Sequence, residues 1–441
     1  MHGQKALKRS SSSSLISNIL ALAWPAVATN VTTPLLSLVD VAVVGHIGNS
    51  VYIGAIAVGA VMFNMLYWLM GFLRMGTSGM TAQAFGASDT PECMRVLVRA
   101  MLIAVVTGLL MIALSTSLGR IIINFIDADG AARVPAQQYF QVAILGAPGV
   151  LITYALSGWF LGMQTSRPIL WMALTANSLN IILNITFVYG CGWDVRGVGA
   201  ATAISQWVSA GVGALLLRRR LRDIAVAGWR QGLMQWRALR RFFSVNTDIF
   251  LRTLCLVAVT VWFTHAGAAM GVDVLAANAI IMQLFMLFSY FMDGFAFAGE
   301  ALAGKFCGAG DGLQLRRLVR ALMRLGLGLS AGVTVIYFFG GEWIMSLLTD
   351  DSHVLDVAHD YHLWAVAVPF AGFMSFLWDG IYVGLTRTRA MFVSMAVAMC
   401  VFYAVWFSLS SALGNHALWL AFILYLLSRG LLQAVLFHKH R

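Results

Sequence analysis

The sequence contains a polar stripe near the N-terminus, within the apolar stretch Leu15–Val44, which includes an ionisable side chain. Four polar side chains recur there at intervals of three, four and three residues: Asn30, Thr33, Ser37 and Asp40. On an α-helix this spacing places all four on one face. Burial away from water favours the protonated form of a carboxyl group, so Asp40 is suited to reversible proton binding. Pro34 interrupts the stripe and predicts a bend or hinge there, because proline removes a backbone hydrogen bond.

A second polar stripe lies in the apolar stretch Ile169–Tyr189. It consists of Asn177, Asn180 and Asn184, which again share one helix face. The two stripes together predict a hydrogen-bonded polar chamber around Asp40. The alternative is that the asparagines satisfy a carboxylic acid purely for helix packing. We favour the proton carrier, because a threonine could serve packing at a lower cost of burial in the membrane.

The second half of the sequence carries a different set of candidates for a substrate cavity: Asp293, Glu300, Asp379 and Trp378. Acidic side chains inside a membrane protein attract cations, and neighbouring aromatic rings can hold organic cations through cation–π contacts. Alternatively the acids are paired internally, with Arg74 and Lys305 as the obvious partners. Both interpretations remain open for Glu300, whereas we favour the cavity for Asp293 and Asp379.

The composition of the chain predicts which kind of secondary structure carries these residues. Of the 441 residues, 60% are apolar and only 11% are charged, too few to cover a surface facing water. Twelve apolar runs of about 20 residues or more lie between Leu15 and Leu436, each long enough to cross a bilayer. This pattern predicts an all-α membrane protein with twelve transmembrane helices. Motifs of hydrolases and metal sites, such as HExxH, GxSxG and CxxC, do not occur, so we expect no enzyme activity, no metal and no cofactor.

The chain has a net charge of +11, and its basic residues are distributed unequally between the two predicted sides of the membrane. With a cytoplasmic N-terminus, 24 of the 29 Lys and Arg residues lie in predicted cytoplasmic segments, three lie outside, and two lie at or within spans. This asymmetry is the positive-inside rule. It predicts a multi-pass protein of the bacterial inner membrane with both termini in the cytoplasm, and it explains the basic charge without nucleic acid.

The sequence also repeats itself after about 222 residues. Gly158-x-x-x-Gly162 recurs as Gly380-x-x-x-Gly384, and a Gly-Ala-x-Asp motif recurs at the same shift. Such a repeat predicts two six-helix lobes related by a pseudo-two-fold axis along the membrane normal. The predicted division is an N-lobe over residues 1–217, a basic cytoplasmic linker over 218–241 and a C-lobe over 242–441. Aligning the histidines of the two halves places Val259 opposite Asp40, so the acid has no counterpart.

Several motifs resemble those of the MATE (multidrug and toxic compound extrusion) transporters. They are Pro34-Leu-Leu-Ser-Leu-Val-Asp40 with Val44-Gly45-His46, and, for the DinF-type branch, Phe72-Leu-Arg74-Met, Thr81-Ala-Gln-Ala-Phe-Gly86, Asp293-Gly-Phe-Ala and Asp379-Gly. The resemblance implies two six-helix lobes, alternating access and efflux driven by a proton or sodium gradient. It also implies that Asp40 and Asn180 are functional residues. Asn184 departs from the pattern, because relatives often have an acid there, and this weakens sodium binding in the N-lobe.

Together these observations predict a secondary active transporter that exports organic cations or drugs by proton-coupled antiport. The expected partners are cationic amphipathic small molecules, protons and the lipid bilayer, and we expect a monomer. Two alternatives stay open: a sodium-coupled exporter, and a flippase of a lipid-linked precursor. The flippase is less favoured because an anionic headgroup would need interior Arg and Lys, whereas acids dominate the predicted spans.

Overall fold

The computed structural model describes residues 14–32, 50–125, 131–222, 228–349 and 351–439. Within these ranges the secondary structure is helical throughout, without strands. The helices of the first half are α1 (Ser14–Thr32), α2 (Ser50–Leu69), α3 (Phe72–Gly86), α4 (Thr90–Ala113), α5 (Ser115–Phe125), α6 (Arg133–Ala143), α7 (Ala147–Gly162), α8 (Arg167–Ile185) and α9 (Val195–Arg222). Those of the second half are α10 (Trp236–Ala269), α11 (Val272–Gly308), α12 (Gly312–Ser346), α13 (Ser352–Asp360), α14 (His362–Gly384), α15 (Thr388–Leu413) and α16 (Asn415–Lys439).

These helices provide 12 segments that are long and apolar enough to cross a membrane. Two of the segments are each formed by consecutive helices: α2 with α3, and α6 with α7. The prediction of an all-α protein with twelve membrane-spanning helices is therefore confirmed for the described residues. Local breaks inside a span arise where the sequence contains Gly or Pro, such as Gly71 before α3 and Pro148 at the start of α7.

Contacts divide the chain into two compact units. The N unit comprises Ala28–Phe242, and the C unit comprises Phe243–Arg441 together with the described part of Met1–Val27. The apolar core of the N unit contains the stacked rings of Phe63 and Phe140. In the C unit, Phe263 packs edge-on against Trp419 at a centroid distance of 4.9 Å. Each unit thus has its own hydrophobic core, as expected for a domain.

The paired Gly-x-x-x-Gly motifs make the same contact in each unit. A Cβ atom on Gly158 or Gly162 would collide with backbone carbonyls of α3, those of Arg74 and Ser78. In the C unit, a Cβ atom on Gly380 or Gly384 would collide with the carbonyls of Ala296 and Glu300 on α11. All four glycine and carbonyl positions correspond at the 222-residue shift. Glycine is required here because only a residue without a side chain lets the two helix backbones approach so closely.

This close approach predicts a loss of stability when a methyl group is added. We expect Gly380→Ala to destabilise the protein by about 1–3 kcal/mol, because a buried helix pair must separate to accept the new atom. Thermal unfolding of the purified protein in detergent measures the effect. Gly328→Ala is the matched control: Gly328 is also helical, but a Cβ atom there would meet no atom within 4 Å. Equal melting temperatures for the two variants would contradict the packing argument.

Candidate functional site

The asparagines of α8 form a buried chain of hydrogen bonds in the N unit. Asn180 is 2% exposed and Asn184 is fully buried. The side-chain amide of Asn184 donates to Asn180 Oδ1 at 2.9 Å, and Asn180 Nδ2 donates to Thr202 Oγ1 of α9 at 3.1 Å. The Thr202 hydroxyl in turn donates to the carbonyl of Val198 at 3.0 Å. Asn180 and Asn184 of the predicted stripe are thus hydrogen-bonded to each other, and the chain of hydrogen bonds continues onto α9 through Thr202, which the sequence pattern did not indicate.

The third asparagine connects α8 to the end of α1. Asn177 Nδ2 donates to the backbone carbonyl of Thr32 at 3.4 Å. Asn30 is half-buried on the last turn of α1. The remaining residues of the predicted chamber, namely Thr33, Pro34, Ser37 and Asp40, lie outside the described residues. The end of α1, where the chain leads toward Asp40, is thus in contact with the asparagine helix.

The described carboxylates of the N unit lie at helix ends. Asp89 caps α4 by accepting a hydrogen bond from the backbone of Glu92, which lies in the first turn of the same helix. Asp194 precedes α9 and accepts from the backbone nitrogen of Arg196 at 3.1 Å. Among the acids of the N-terminal half, only Asp40 lies inside a predicted span. It is therefore the one carboxylate of that half expected at membrane depth.

Asp379 is the centre of a buried ionic cluster in the C unit. Its Oδ2 atom is hydrogen-bonded to Arg252 Nη2 of α10 and lies 3.3 Å from Arg429 Nη2 of α16. Its Oδ1 atom accepts a hydrogen bond from Gln433 Nε2 at 2.7 Å. The Arg429 guanidinium also donates to the Tyr425 hydroxyl at 3.4 Å. Side-chain exposures of 8% for Asp379 and 3% for Arg429 place this cluster in the interior.

The partners of Asp379 differ from those expected. The partners expected from the sequence are Arg74 and Lys305, and Arg429 is one of the 24 basic residues predicted to be cytoplasmic. In the structure Arg429 is buried, ten residues before the end of α16. A signal was present: Arg429 and Gln433 are four residues apart in an apolar helix, which puts two costly polar side chains on one face.

The other candidates of the C unit have distinct surroundings. Asp293 is half-buried on α11, and its carboxylate acts electrostatically on the Arg429 guanidinium. Glu300 is 1% exposed and lies well inside α11, which continues to Gly308. Trp378 is buried, with its ring 4.9 Å from that of Phe437. Within the described ranges, no three His, Cys, Asp or Glu side chains are grouped so that they could hold a metal ion.

Both halves of the chain match the model of one known protein family. The model of the family described as MatE matches residues 25–186 and, a second time, residues 248–407. The chain belongs to the MatE family. The two matches begin 223 residues apart and end 221 residues apart, so each half of the chain is one copy of the MatE unit. This agrees with the shift read from the glycine motifs.

Individual MatE relatives extend over nearly the whole chain. DNA damage-inducible protein F of Escherichia coli (strain K12) is 37% identical over 420 residues, which is 95% of this chain and 91% of that protein. Protein DETOXIFICATION 44, chloroplastic, of Arabidopsis thaliana is 26% identical, over 93% of this chain and 80% of its own length. The protein is therefore a multi-pass membrane transporter of the multidrug and toxic compound extrusion family rather than an enzyme.

Solved structures of MATE proteins share the fold. A MATE protein in the bent conformation superposes with a TM-score of 0.88 at 16% identity, over 97% of this chain and 95% of that one. A multidrug resistance MATE family transporter of the MOP superfamily, in an outward-facing conformation, superposes with a TM-score of 0.86 at 17% identity, over 96% and 95% of the two chains. The predicted fold class is thus confirmed for this MatE protein.

Proposed function

We propose that this protein exports cationic amphipathic compounds by proton-coupled antiport with alternating access. The observation that carries the proposal is the buried Asn184–Asn180–Thr202 chain in a unit whose described carboxylates all lie at helix ends. Asp40 is then the one acid of the N-terminal half at membrane depth. A single buried acid changes its whole charge when it binds or releases a proton, which can shift an equilibrium between two conformations.

The asparagine chain favours the proton over sodium as the coupling ion. Sodium, like other hard cations, is bound by several oxygen ligands. Here the Asn180 amide oxygen accepts a hydrogen bond from Asn184, and both amide groups donate within the chain. One carboxylate among such hydrogen-bonded amides is a poor sodium site. It remains suitable for a proton, which requires only one oxygen atom.

Flux measurements test this choice of ion. In proteoliposomes containing the purified protein, we expect transport of a cationic dye to follow an imposed pH gradient and to be unchanged by a sodium gradient at constant pH. Protein-free liposomes give the passive leak. Dye flux that followed the sodium gradient at constant pH would contradict proton coupling and would move the ion site to the acids of the C unit.

The preference for positive substrates rests on fewer acids than the sequence suggested. The charge of Asp379 is balanced by Arg252 and Arg429, and Glu300 is buried. Asp293 is only half-buried, and it is the C-unit acid best placed to meet a cationic substrate. We therefore assign substrate preference to Asp293 and proton coupling to Asp40, in a monomer of the bacterial inner membrane with both termini in the cytoplasm.

The buried Arg429 and the partly buried Arg252 favour one second candidate, transport of a lipid-linked precursor with an anionic headgroup. Interior arginines are the feature that such a substrate needs, and Arg252 and Arg429 supply it. In the same liposomes, competition by an anionic amphiphile stronger than competition by a cationic one would favour this candidate. We place it second because each arginine is already in contact with Asp379.

A further inference from the structure

The segment that connects the two halves is unusually rich in arginine. Residues 218–241 contain eight arginines, no lysine and one acid, Asp223. All eight arginines are exposed: Arg218, Arg219, Arg220, Arg222, Arg230, Arg237, Arg240 and Arg241. The orientation of membrane helices requires only positive charge, which lysine supplies equally well. Arginine differs because its planar guanidinium pairs with phosphate through two parallel hydrogen bonds.

Two of these arginines line a groove at the end of α9. The groove has a volume of about 350 Å³ and is lined by Ala214, Leu217, Arg218, Leu221 and Arg222. The groove is open to its surroundings, and all five lining residues lie on α9, so it can contact a ligand along one side but cannot enclose it. The lining combines apolar side chains with two guanidinium groups four residues apart on one helix face. Neither of these guanidinium groups has an ion-pair or hydrogen-bond partner among the described residues.

The groove lies at the end of a predicted membrane span, where a phospholipid headgroup is expected. The membrane-spanning segment Val195–Arg222 ends at the groove, and Ala214 lies about 12 Å farther into the span than Arg222 at 1.5 Å per residue. Farther along the chain, Trp236 is 76% exposed, and tryptophan is a residue enriched at membrane interfaces.

The part of the connecting segment that the structure describes, from Gly228 onward, is hydrogen-bonded to α4. Arg99 of α4 is buried and donates to the carbonyls of Leu233 at 2.8 Å and Gly232 at 3.1 Å. Glu92 accepts from the same arginine at 2.9 Å, which orients its guanidinium. The connecting segment is thus held against the N unit, and its interfacial side chains keep a defined position relative to α4.

We propose that the groove of Arg218 and Arg222 binds one anionic phospholipid. The two guanidinium groups would pair with the phosphate and any further acidic group of the head, and an acyl chain would lie along Leu221, Leu217 and Ala214. A free phosphate ion lacks the apolar part that these three side chains fit. A zwitterionic lipid carries a positive group that two adjacent arginines repel. The occupant with both matching features is an anionic lipid.

Lipid retention by the purified full-length protein tests the proposal. The protein is equilibrated in detergent micelles doped with phosphatidylglycerol or phosphatidylcholine, and bound lipid is counted by native mass spectrometry. We expect one retained phosphatidylglycerol per protein and an affinity about thirtyfold lower in R218Q/R222Q, from roughly 1 kcal/mol for the phosphate hydrogen bonds that each groove arginine would make. The matched control is R219Q/R220Q, which removes the same charge from the same helix turn outside the groove, with a change below about threefold.

Two further measurements distinguish specific lipid binding in the groove from a general effect of positive charge. R218K/R222K keeps the charge that orients the helices, so it inserts even if the glutamine variant does not, and we expect several-fold weaker retention because lysine cannot pair bidentately. Millimolar inorganic phosphate should leave the bound lipid in place. The proposal would be overturned if the groove pair and the control pair lost the same affinity, or if R218K/R222K retained the lipid fully. It would also be overturned if phosphatidylcholine bound equally well, or if inorganic phosphate displaced the bound lipid.

Discussion

An Asp40→Asn protein is expected to lose export of cationic dyes driven by a pH gradient, with the flux falling to that of protein-free liposomes. The substitution keeps the size and hydrogen-bonding capacity of the side chain but removes the charge change. Asp40 has no acidic counterpart in the second half, and the described acids of the N unit lie at helix ends. None of the described carboxylates of the N unit is therefore expected to take its place. Dye flux at several external pH values measures the effect.

The matched control for this experiment is Asp194→Asn. Asp194 belongs to the same unit but lies before α9, where its carboxylate accepts a backbone hydrogen bond that an asparagine can also accept. We expect this variant to transport at the wild-type rate. Both variants should reach the membrane in equal amounts, because neither changes a packed apolar residue. Undiminished export by the Asp40→Asn protein at every external pH would refute its role as the proton carrier.

The second large effect is expected at Asp379, and it concerns stability. Asp379→Asn leaves the guanidinium groups of Arg252 and Arg429 in the interior without their counter-charge. Removing one partner of a buried ion pair costs about 3–5 kcal/mol, because the remaining charge stays desolvated. Here one carboxylate serves two arginines. We therefore expect a marked fall in the thermal unfolding temperature of the purified protein.

Two comparisons identify the cause of that fall. Asp293→Asn changes the same functional group at a half-buried position and should lower the unfolding temperature far less. Adding Arg252→Gln to Asp379→Asn removes one of the uncompensated charges and should restore part of the lost stability. If Asp379 instead serves only as a substrate acid, Asp379→Asn would unfold at the wild-type temperature and lose cation binding alone. That outcome would refute the structural role.

Much of the architecture could be predicted from the sequence because each membrane-spanning helix needs a continuous apolar segment. About 20 apolar residues are needed for each crossing, so composition and spacing alone indicated twelve helices. The internal repeat could also be predicted from the sequence, because Gly158 and Gly380 are required for the same close helix contact in the two units. The asparagine stripe of α8 was predicted from helical periodicity, which depends only on neighbours along one helix.

The contacts between charged side chains are determined by the tertiary structure and could not be predicted from the sequence. Asp379 contacts Arg252 and Gln433, which are 127 and 54 residues away along the chain, and no periodic pattern relates such positions. Arg429 is one of the basic residues that the positive-inside pattern assigns to the cytoplasm, yet it is buried because a carboxylate from another helix offsets its charge. Packing also placed the described part of Met1–Val27 with the second half of the chain. Hydropathy is a property of a segment, whereas compensation of a buried charge depends on helices brought together by folding.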